Sequence, residues 1–157
     1  MNLMADLLEK MGNQGLTLGS IESMTSGLFA ATAASIPGAS KVFKGGLVTY
    51  SSSLKVSLLG IDPNLIEEKG VVSAEVAKEM AERGRKRLGV DVAISITGNA
   101  GPTTEPGQAG VGVAYMGVAT KEKVLVLPYQ FHGERNEIRA AAVDVMAGLG
   151  LVALDQK

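Results

Sequence analysis

Hydrophobic positions along the chain switch repeatedly between helical and extended spacing, and this pattern predicts the order of its elements. One helical face near the start is formed by Leu3, Leu7, Leu8 and Met11. Glycines follow this helix, and a strand is predicted over residues 16 to 22. An alanine-rich helix over residues 27 to 35 is closed by Pro37-Gly38, and its small side chains indicate close packing on a sheet.

The rest of the chain continues this alternation of strands and helices. It predicts a strand at 45–50, a helix at 53–59 ended by Gly60, a helical turn started by Asp62-Pro63, a helix from Ser73 to Leu88, and a strand at 91–97. The apolar runs at 111–120 and 123–131 flank a charged tripeptide and predict a hairpin. A long amphipathic C-terminal helix is marked by Ile138, Ala142, Val145, Leu149 and Val152.

Helices that alternate with strands, followed by a hairpin, predict the α/β class, here a three-layer α/β/α domain with a mixed, mostly parallel sheet. The 157 residues fall within the usual size of one domain, so we expect a single domain over residues 1–157. Loops rich in small or polar residues follow the strands at 23–27, 50–55 and 97–107. Because ligands bind beyond the carboxyl ends of strands in such sheets, these loops predict one shared pocket.

Composition excludes several classes of chemistry. The chain has no cysteine and a single histidine, His132, which excludes thiol catalysis, cysteine-ligated metal and a histidine-rich metal site. Asp and Glu show no ligand-like spacing, and the glycine patterns of dinucleotide-binding and phosphate-binding loops are absent. We therefore expect no metal and no cofactor.

Charge and hydropathy limit the partners. The net charge is −1 with acids and bases interspersed, so neither a basic face for nucleic acid nor a polybasic membrane anchor is present. The start of the chain lacks the basic region of a signal peptide, and no apolar run approaches the roughly 20 residues of a membrane span. We expect a cytoplasmic protein without nucleic-acid or membrane partners, and its small, apolar domain favours a homo-oligomer.

Ser23 is a candidate nucleophile because it stands where a predicted strand turns into a helix. The first N–H groups of a helix lack intrahelical acceptors, so they could stabilise an oxyanion at such a turn. The alternative is a capping role for Ser23 or Thr25, which is the commoner function of a hydroxyl at this position. If Ser23 is activated, its base is His132, a lysine or a carboxylate.

The second loop places a phenol and an amine near each other, at Tyr50 and Lys55. A lysine deprotonates a serine only if burial or a nearby positive charge lowers its pKa towards neutrality. The alternatives are that Lys55 is a solvated helix residue and that Tyr50 belongs to the core.

The third loop and the last helix add candidate binding groups. Glycines in the loop at 97–107 allow close approach of backbone to a ligand, although a plain long turn would have the same composition. Arg135 and Arg139 lie one helical turn apart. They form either a salt-bridged helix start with Glu134 and Glu137, or a phosphate clamp together with free N–H groups.

Five ordered motifs extend over nearly the whole chain: Glu22-Ser23-x-Thr25-x-Gly27, Thr49-Tyr50-Ser51 with Lys55, Gly70-Val71-Val72-Ser73, Thr97-Gly98-x-Ala100-Gly101-Pro102, and Gly133-x-Arg135 with Arg139. In this order and spacing the chain resembles the CinA C-terminal domain family, whose active members are nicotinamide mononucleotide amidohydrolases of the PncC type. The resemblance implies a stand-alone form of this domain. It also implies hydrolysis of nicotinamide mononucleotide to nicotinate mononucleotide and ammonia, without a metal.

The resemblance also implies roles for individual residues. Ser23 would be the nucleophile and Lys55 its base, with Tyr50 supporting the proton relay. The substrate-binding residues would be Thr25, Ser26, Gly27, Thr97, Gly98, Ala100, Gly101, Arg135 and Arg139. Among them, the turn after Ser23 would hold the oxyanion, the loop after Thr97 would line the nucleotide, and the arginines would hold the 5′-phosphate.

Four positions depart from the family pattern. They are Ser26 in place of a glycine, Ser52 in place of an asparagine, Asn99 in place of an apolar residue, and Gln108 in place of a lysine. These changes favour two alternatives: a paralogue with little or no activity that binds a nucleotide or protein partner, or an amidase for a related nucleotide. The retained serine, tyrosine and lysine favour the hydrolase.

Overall fold

Five strands form one mixed sheet at the centre of the computed structural model, which describes residues 2–104 and 107–155. The strands are β1 (Leu18–Glu22), β2 (Phe43–Val48), β3 (Val92–Gly98), β4 (Val113–Ala119) and β5 (Val124–Gln130). They lie side by side in the order β2-β1-β3-β4-β5. The β1–β2 and β1–β3 pairs are parallel, whereas β4 is antiparallel to both of its neighbours. Strand β4 is therefore the one that runs against the other four.

Helices cover both faces of this sheet. In the described part of the chain they are α1 (Leu3–Asn13), α2 (Leu28–Ala34), α3 (Ser52–Leu59), α4 (Pro63–Lys69), α5 (Ala74–Leu88) and α6 (Arg135–Asp155), with a short 3₁₀ helix at Ala39–Lys41. Helices α1, α2 and α6 pack together on one face, around a core that includes Leu18 and Ile94 of the sheet. Helices α3, α4 and α5 cover the other face, where Ile21 packs against Val76 and Met80. The predicted three-layer α/β architecture is confirmed.

Capping residues set the helix boundaries on the second face much as the sequence predicts. The side chains of Ser51, Asp62 and Ser73 each accept a hydrogen bond from an N–H group in the first turn of α3, α4 and α5, respectively. Gly60 and Gly89 end α3 and α5 in the left-handed conformation. These short connections fix where each helix leaves the sheet.

Two details differ from the sequence analysis. The strand predicted to reach Tyr50 ends at Val48, because the chain turns there to place Ser51 at the start of α3. In α6, Val152 is 51% exposed although it was predicted on the apolar face, since the buried stripe at this end of the helix passes through Ala153 instead.

The carboxyl ends of the three parallel strands lie along one edge of the sheet. Glu22 at the end of β1 is in register with Val48 at the end of β2 and with Ile96 near the end of β3. The described segments that follow these strands are thereby brought together: 23–27, 49–51, and 99–104 with 107–112. The three loops predicted to share a pocket therefore start at the same edge of the sheet.

Candidate active site

Ser23 is the first residue after β1. Its backbone N–H donates to the carbonyl oxygen of Ile96 in β3 at 3.2 Å, so strand pairing continues up to this residue. The N–H of Ser26 donates to the carbonyl oxygen of Ser23 at 3.0 Å and closes a turn. Residues 23–27 are called the nucleophile turn below. Ser23 is 7% exposed and lines a cavity, so its hydroxyl is both held by the protein and accessible to a ligand.

Lys55 brings an amine to this hydroxyl from helix α3. The residue is 0% exposed, and its Nζ lies 3.0 Å from Ser23 Oγ. The same nitrogen lies 2.5 Å from the carbonyl oxygen of Thr49 and 3.4 Å from that of Tyr50. The alternative that Lys55 is a solvated helix residue is wrong.

Burial lowers the pKa of Lys55 to about 8, because the ammonium form loses its hydration. A neutral amine has two N–H donors and one lone pair. Since a carbonyl oxygen can only accept, the two N–H groups match the carbonyl oxygens of Thr49 and Tyr50. The lone pair is then left for the hydroxyl proton of Ser23, which is the arrangement that a general base requires.

Helix α2 is capped by Glu22, the last residue of β1. Its carboxylate accepts hydrogen bonds from the N–H groups of Phe29 at 2.8 Å and Ala30 at 3.1 Å, and the residue is 1% exposed. The prediction that Ser23 or Thr25 caps this helix is therefore wrong. These first-turn N–H groups are also occupied, so they are not the oxyanion donors that the sequence suggested.

Three N–H groups of the nucleophile turn have no acceptor instead. Within residues 2–104 and 107–155, no acceptor contacts the backbone N–H groups of Met24, Thr25 and Gly27, and the first two directly follow Ser23. Met24 lines the same cavity as Ser23. The candidate donors to an oxyanion are therefore in the turn itself rather than in the helix that follows it.

Tyr50 and Arg135 contact each other at the rim of the site. The tyrosine is 55% exposed, so it is not a core residue, and its hydroxyl accepts a hydrogen bond from Arg135 at 3.1 Å. Arg135 also donates to the carbonyl oxygen of Gly101 at 2.6 Å. Among the described contacts, Tyr50 reaches Ser23 and Lys55 through its carbonyl oxygen only. The phenol thus lies outside the Ser–Lys pair in this structure.

Arg139, one turn further along α6, contacts the backbone of the nucleophile turn. Its Nε donates to the carbonyl oxygen of Met24 at 3.1 Å, and its Nη2 donates to that of Thr25 at 2.9 Å. Over the described ranges neither Arg139 nor Arg135 forms an ion pair with a carboxylate, so the salt-bridged helix start is wrong. The two arginines are neighbours on α6 but hold different backbone segments.

A cavity of about 220 Å³ opens beside Ser23. Its lining residues are Ser23, Met24, Tyr50, Ser52, Val71, Val72, Thr97, Gly98, Asn99, Ala100, Gln108 and Arg135. A second cavity of about 610 Å³ shares five of these residues, namely Ser52, Val71, Val72, Asn99 and Gln108. The two cavities are therefore adjacent, with a common wall.

The first cavity brings together about half of the predicted site residues: Ser23, Tyr50, Thr97, Gly98, Ala100 and Arg135. Lys55 does not line the cavity itself but contacts Ser23, which does. The predicted binding residues that do not line it are Thr25, Ser26, Gly27, Gly101 and Arg139. His132, considered as a base, is exposed in the turn between β5 and α6.

Residues 99–104 and 107–112 form the outer wall of the site and are called the wall loop below. The Asn99 side chain donates to the carbonyl oxygens of Thr103 at 3.2 Å and Ala109 at 3.1 Å, and it accepts from the N–H of Gly101 at 2.9 Å. One of the departures from the family pattern therefore holds this loop in shape. It is also in the wall of both cavities.

Sequence reasoning assigned no site role to Val71, Val72 or Glu22. The carbonyl oxygen of Val71 accepts a hydrogen bond from Thr97 Oγ1 at 2.8 Å, which fixes one side of the cavity to the end of β3. The sequence does contain the Gly70-Val71-Val72-Ser73 motif, but only the fold shows that this motif lies beside the end of β3. Glu22 gave a weaker signal, an acidic residue at the end of an apolar strand.

Neither a metal cluster nor a membrane helix is found in the described ranges. Over residues 2–104 and 107–155, no three histidine, aspartate or glutamate side chains are grouped as metal ligands. Over the same residues, no helix has both the length and the apolar character needed to cross a bilayer.

Comparison with known proteins identifies the family. The family model described as the CinA C-terminal domain matches residues 1–153. The chain belongs to the CinA C-terminal domain family. A CinA-like protein from Geotalea daltonii is 44% identical over 125 residues, which cover 80% of this chain and 30% of that protein. The chain spans about a third of the length of the curated CinA relatives it matches.

Solved structures of CinA proteins have the same fold. A competence or damage-inducible protein from Enterobacter asburiae matches with a TM-score of 0.93 at 26% identity, over 98% of this chain and 96% of that chain. A CinA superfamily protein from Escherichia coli matches with a TM-score of 0.91 at 28% identity, over 98% of this chain and 88% of that chain. The family resemblance stated from the five motifs is confirmed.

Proposed function

We propose that the chain hydrolyses the carboxamide of nicotinamide mononucleotide, giving nicotinate mononucleotide and ammonia, with Ser23 as nucleophile and Lys55 as base. The observation that carries this proposal is the buried contact of 3.0 Å between Lys55 Nζ and Ser23 Oγ, with the lysine pKa lowered to about 8. Burying an amine costs free energy, and groups perturbed in this way concentrate at functional sites.

The first half of the reaction transfers the acyl group to the serine. Lys55 accepts the hydroxyl proton while Ser23 Oγ attacks the carboxamide carbon, and the carbonyl oxygen becomes an oxyanion. The N–H of Met24, which lines the cavity, is the first donor for this oxyanion, and the N–H of Thr25, which has no acceptor among the described residues, is the second. Lys55 then returns the proton to the amide nitrogen, which leaves as ammonia when the C–N bond breaks.

The second half releases the acid. Water enters the place that ammonia has left, and Lys55 takes one of its protons while the oxygen attacks the ester carbon. The Ser23 ester bond breaks, and the proton held by Lys55 returns to Ser23 Oγ. The net change is addition of one water to the amide, and the enzyme is restored without a metal or an oxidant.

The choice of nicotinamide mononucleotide rests on membership of the CinA family and on the shape of the site. A carboxamide at Ser23 leaves the nucleotide to extend along the adjacent cavity, and cavities of about 220 Å³ and 610 Å³ together offer the volume typical of ligand sites. Arg135 is a cationic side chain that lines the cavity beside Ser23, and a guanidinium is suited to a phosphate oxygen.

The proposal is tested by incubating the protein with nicotinamide mononucleotide and measuring ammonia and nicotinate mononucleotide together. Ser23→Ala is expected to lose activity by about 10³-fold or more. Ser57→Ala is the matched control, because Ser57 is an exposed serine on helix α3 and is expected to keep wild-type activity. Equal activity of Ser23→Ala and wild type would reject the nucleophile.

A second candidate is hydrolysis of the amide of a related nucleotide. It is favoured by Asn99 and Gln108, which depart from the family pattern and stand in the wall of both cavities. If folded wild-type protein does not turn over nicotinamide mononucleotide, that substrate is rejected. Ammonia release from other nucleotide carboxamides, lost again in Ser23→Ala, would then support this second candidate.

A further inference from the structure

We propose that Arg139 is a positioning residue that orients the oxyanion donors of the nucleophile turn, rather than a ligand of the substrate phosphate. This inference rests on the proposed function, since it assigns a role within the same acyl transfer. It is carried by the two hydrogen bonds that Arg139 donates, to the carbonyl oxygens of Met24 at 3.1 Å and Thr25 at 2.9 Å.

Peptide geometry connects these carbonyl groups to the candidate donors. In a trans peptide the C=O of one residue and the N–H of the next point in opposite directions, and the Met24–Thr25 peptide is trans. When Arg139 holds the Met24 carbonyl, the Thr25 N–H is therefore directed away from Arg139. This N–H is one of the three in the turn that no acceptor contacts within the described residues.

The following peptide is fixed in the same way. Arg139 Nη2 holds the Thr25 carbonyl, and the Ser26 N–H on the opposite side donates to the carbonyl oxygen of Ser23 at 3.0 Å. One guanidinium from helix α6 thus contacts two successive peptide planes: it is the described partner of the Met24 carbonyl oxygen, and it shares the Thr25 carbonyl oxygen with the N–H of Leu28 at 3.0 Å. A fork of donors is suited to this task, because a rotation of either plane would break a charge-assisted hydrogen bond.

The remaining donors of Arg139 argue against a phosphate role. Its Nη1 donates to Asn136 Oδ1 at 3.2 Å, and the residue does not line the cavity beside Ser23. Arg135 does line it. Arg139 also lies near the N-terminal end of α6, where a cation opposes the helix dipole, so its position is explained by the two carbonyl groups.

The test separates the two roles by kinetics on paired substrates. In Arg139→Met, we expect kcat to fall by about 10²-fold with little change in KM, because misdirected donors weaken only the transition state. Nicotinamide riboside, which lacks the phosphate, should lose the same factor. An increase in KM for nicotinamide mononucleotide that is absent for the riboside would overturn the inference and support phosphate binding.

Two control variants separate the role of Arg139 from the general effect of removing an arginine. Arg139→Lys retains the charge and a single donor group, so it should show an intermediate loss of kcat and a smaller loss of stability than Arg139→Met. Arg87→Met removes an exposed arginine of helix α5 and should leave kcat and KM unchanged. Thermal unfolding followed by circular dichroism checks that each variant is folded before rates are compared.

Two readouts do not depend on the natural substrate. A fluorophosphonate should label Ser23 about 10²-fold more slowly in Arg139→Met, because its phosphoryl oxygen needs the same donors. Protein that is labelled but does not hydrolyse nicotinamide mononucleotide would reject only the proposed substrate. The amide resonance of Thr25 should also shift in both Arg139 variants, and an unchanged resonance would overturn the inference whatever the activity.

Discussion

The nucleophile turn and the wall loop face each other across the cavity but are held in different ways. Two buried or half-buried charged side chains contact the turn, Lys55 of α3 and Arg139 of α6, and the buried carboxylate of Glu22 holds the helix that follows it. The wall loop has one charged contact, from Arg135 to the carbonyl oxygen of Gly101 near its start, and is otherwise held by neutral side chains such as Asn99. Most of its described residues between 102 and 111 are exposed.

This difference separates chemistry from selectivity. Hydrogen bonds to buried charged groups are strong because the protein interior screens charge weakly, so they keep their partners in a fixed geometry. An attacking hydroxyl and an oxyanion site both require such a fixed geometry. Neutral hydrogen bonds in an exposed loop tolerate substitution more readily, and two of the departures from the family pattern, Asn99 and Gln108, are found there. Loss of the charged side chains that contact the turn should therefore slow the reaction itself, and changes in the loop should alter which amide is accepted.

Among the side chains that hold the two regions, the largest effect is expected for Lys55→Met, which keeps the length of the side chain but removes the base. We expect kcat to fall by about 10³-fold, within the range that general-base catalysis supplies. Lys86→Met, at an exposed position on α5, is the matched control and should behave as wild type. Steady-state ammonia release measures both. A Lys55→Met enzyme within tenfold of wild type would show that another group takes the proton.

The pH dependence of wild-type protein should show the titration of the same lysine. Burial lowers the pKa of Lys55 to about 8, so the amine is protonated and inactive as a base below that pH and neutral above it. We expect kcat/KM to rise by about tenfold per pH unit below pH 8 and to level off above it. Variants of the wall loop should keep this profile, and a flat profile would contradict the assignment.

Sequence periodicity was sufficient for the fold because each helix and strand has a local signal. The alternation of elements gave the three layers, and the strand-to-helix position of Ser23 gave the nucleophile candidate. The residues alone predicted Ser23 with a lysine among its possible bases, and the family resemblance predicted that this base is Lys55. Burial of Lys55 could not be seen locally, since helix α3 shows little difference between its faces.

The partners of the nucleophile turn could not be predicted, because they depend on which elements face each other in space. Capping rules consider side chains within a few residues of the helix start. The cap of α2 is instead Glu22, which lies in the preceding strand and accepts hydrogen bonds from the N–H groups of Phe29 and Ala30. Arg135 and Arg139 lie one turn apart, and only the packing of α6 decides which backbone each contacts.

The Glu22 cap of helix α2 gives a prediction for the stability of the protein. Glu22→Gln removes the charge from a buried acceptor of two backbone N–H groups, so we expect the free energy of unfolding to fall by about 2 kcal/mol. Urea denaturation measures this change. Glu9→Gln, at an exposed position on α1, should leave stability within about 0.5 kcal/mol of wild type. A similarly small change for Glu22→Gln would mean that the charge does not stabilise the helix start.

A smaller effect is expected in the wall loop for Asn99→Leu, which restores an apolar residue. Loss of the hydrogen bonds to Gly101, Thr103 and Ala109 should raise KM about fivefold, the equivalent of about 1 kcal/mol, while kcat changes little. Asn64→Leu, an exposed site on α4, is the control. A fall in kcat with unchanged KM would contradict the separation of the two regions.

The smallest effect is expected for Ser26→Gly, which restores a glycine in the nucleophile turn. Ser26 has φ of 48°, a left-handed conformation that is unfavourable for a residue with a side chain. The side chain is exposed and does not narrow the cavity. Glycine removes this strain but adds entropy to the unfolded chain, so we expect a gain of at most about 1 kcal/mol in the free energy of unfolding, with kcat unchanged. The matched reverse change is Gly27→Ser, at φ of 95°, which should destabilise the protein. If Ser26→Gly lowered stability while Gly27→Ser did not, the strain would lie elsewhere in the turn.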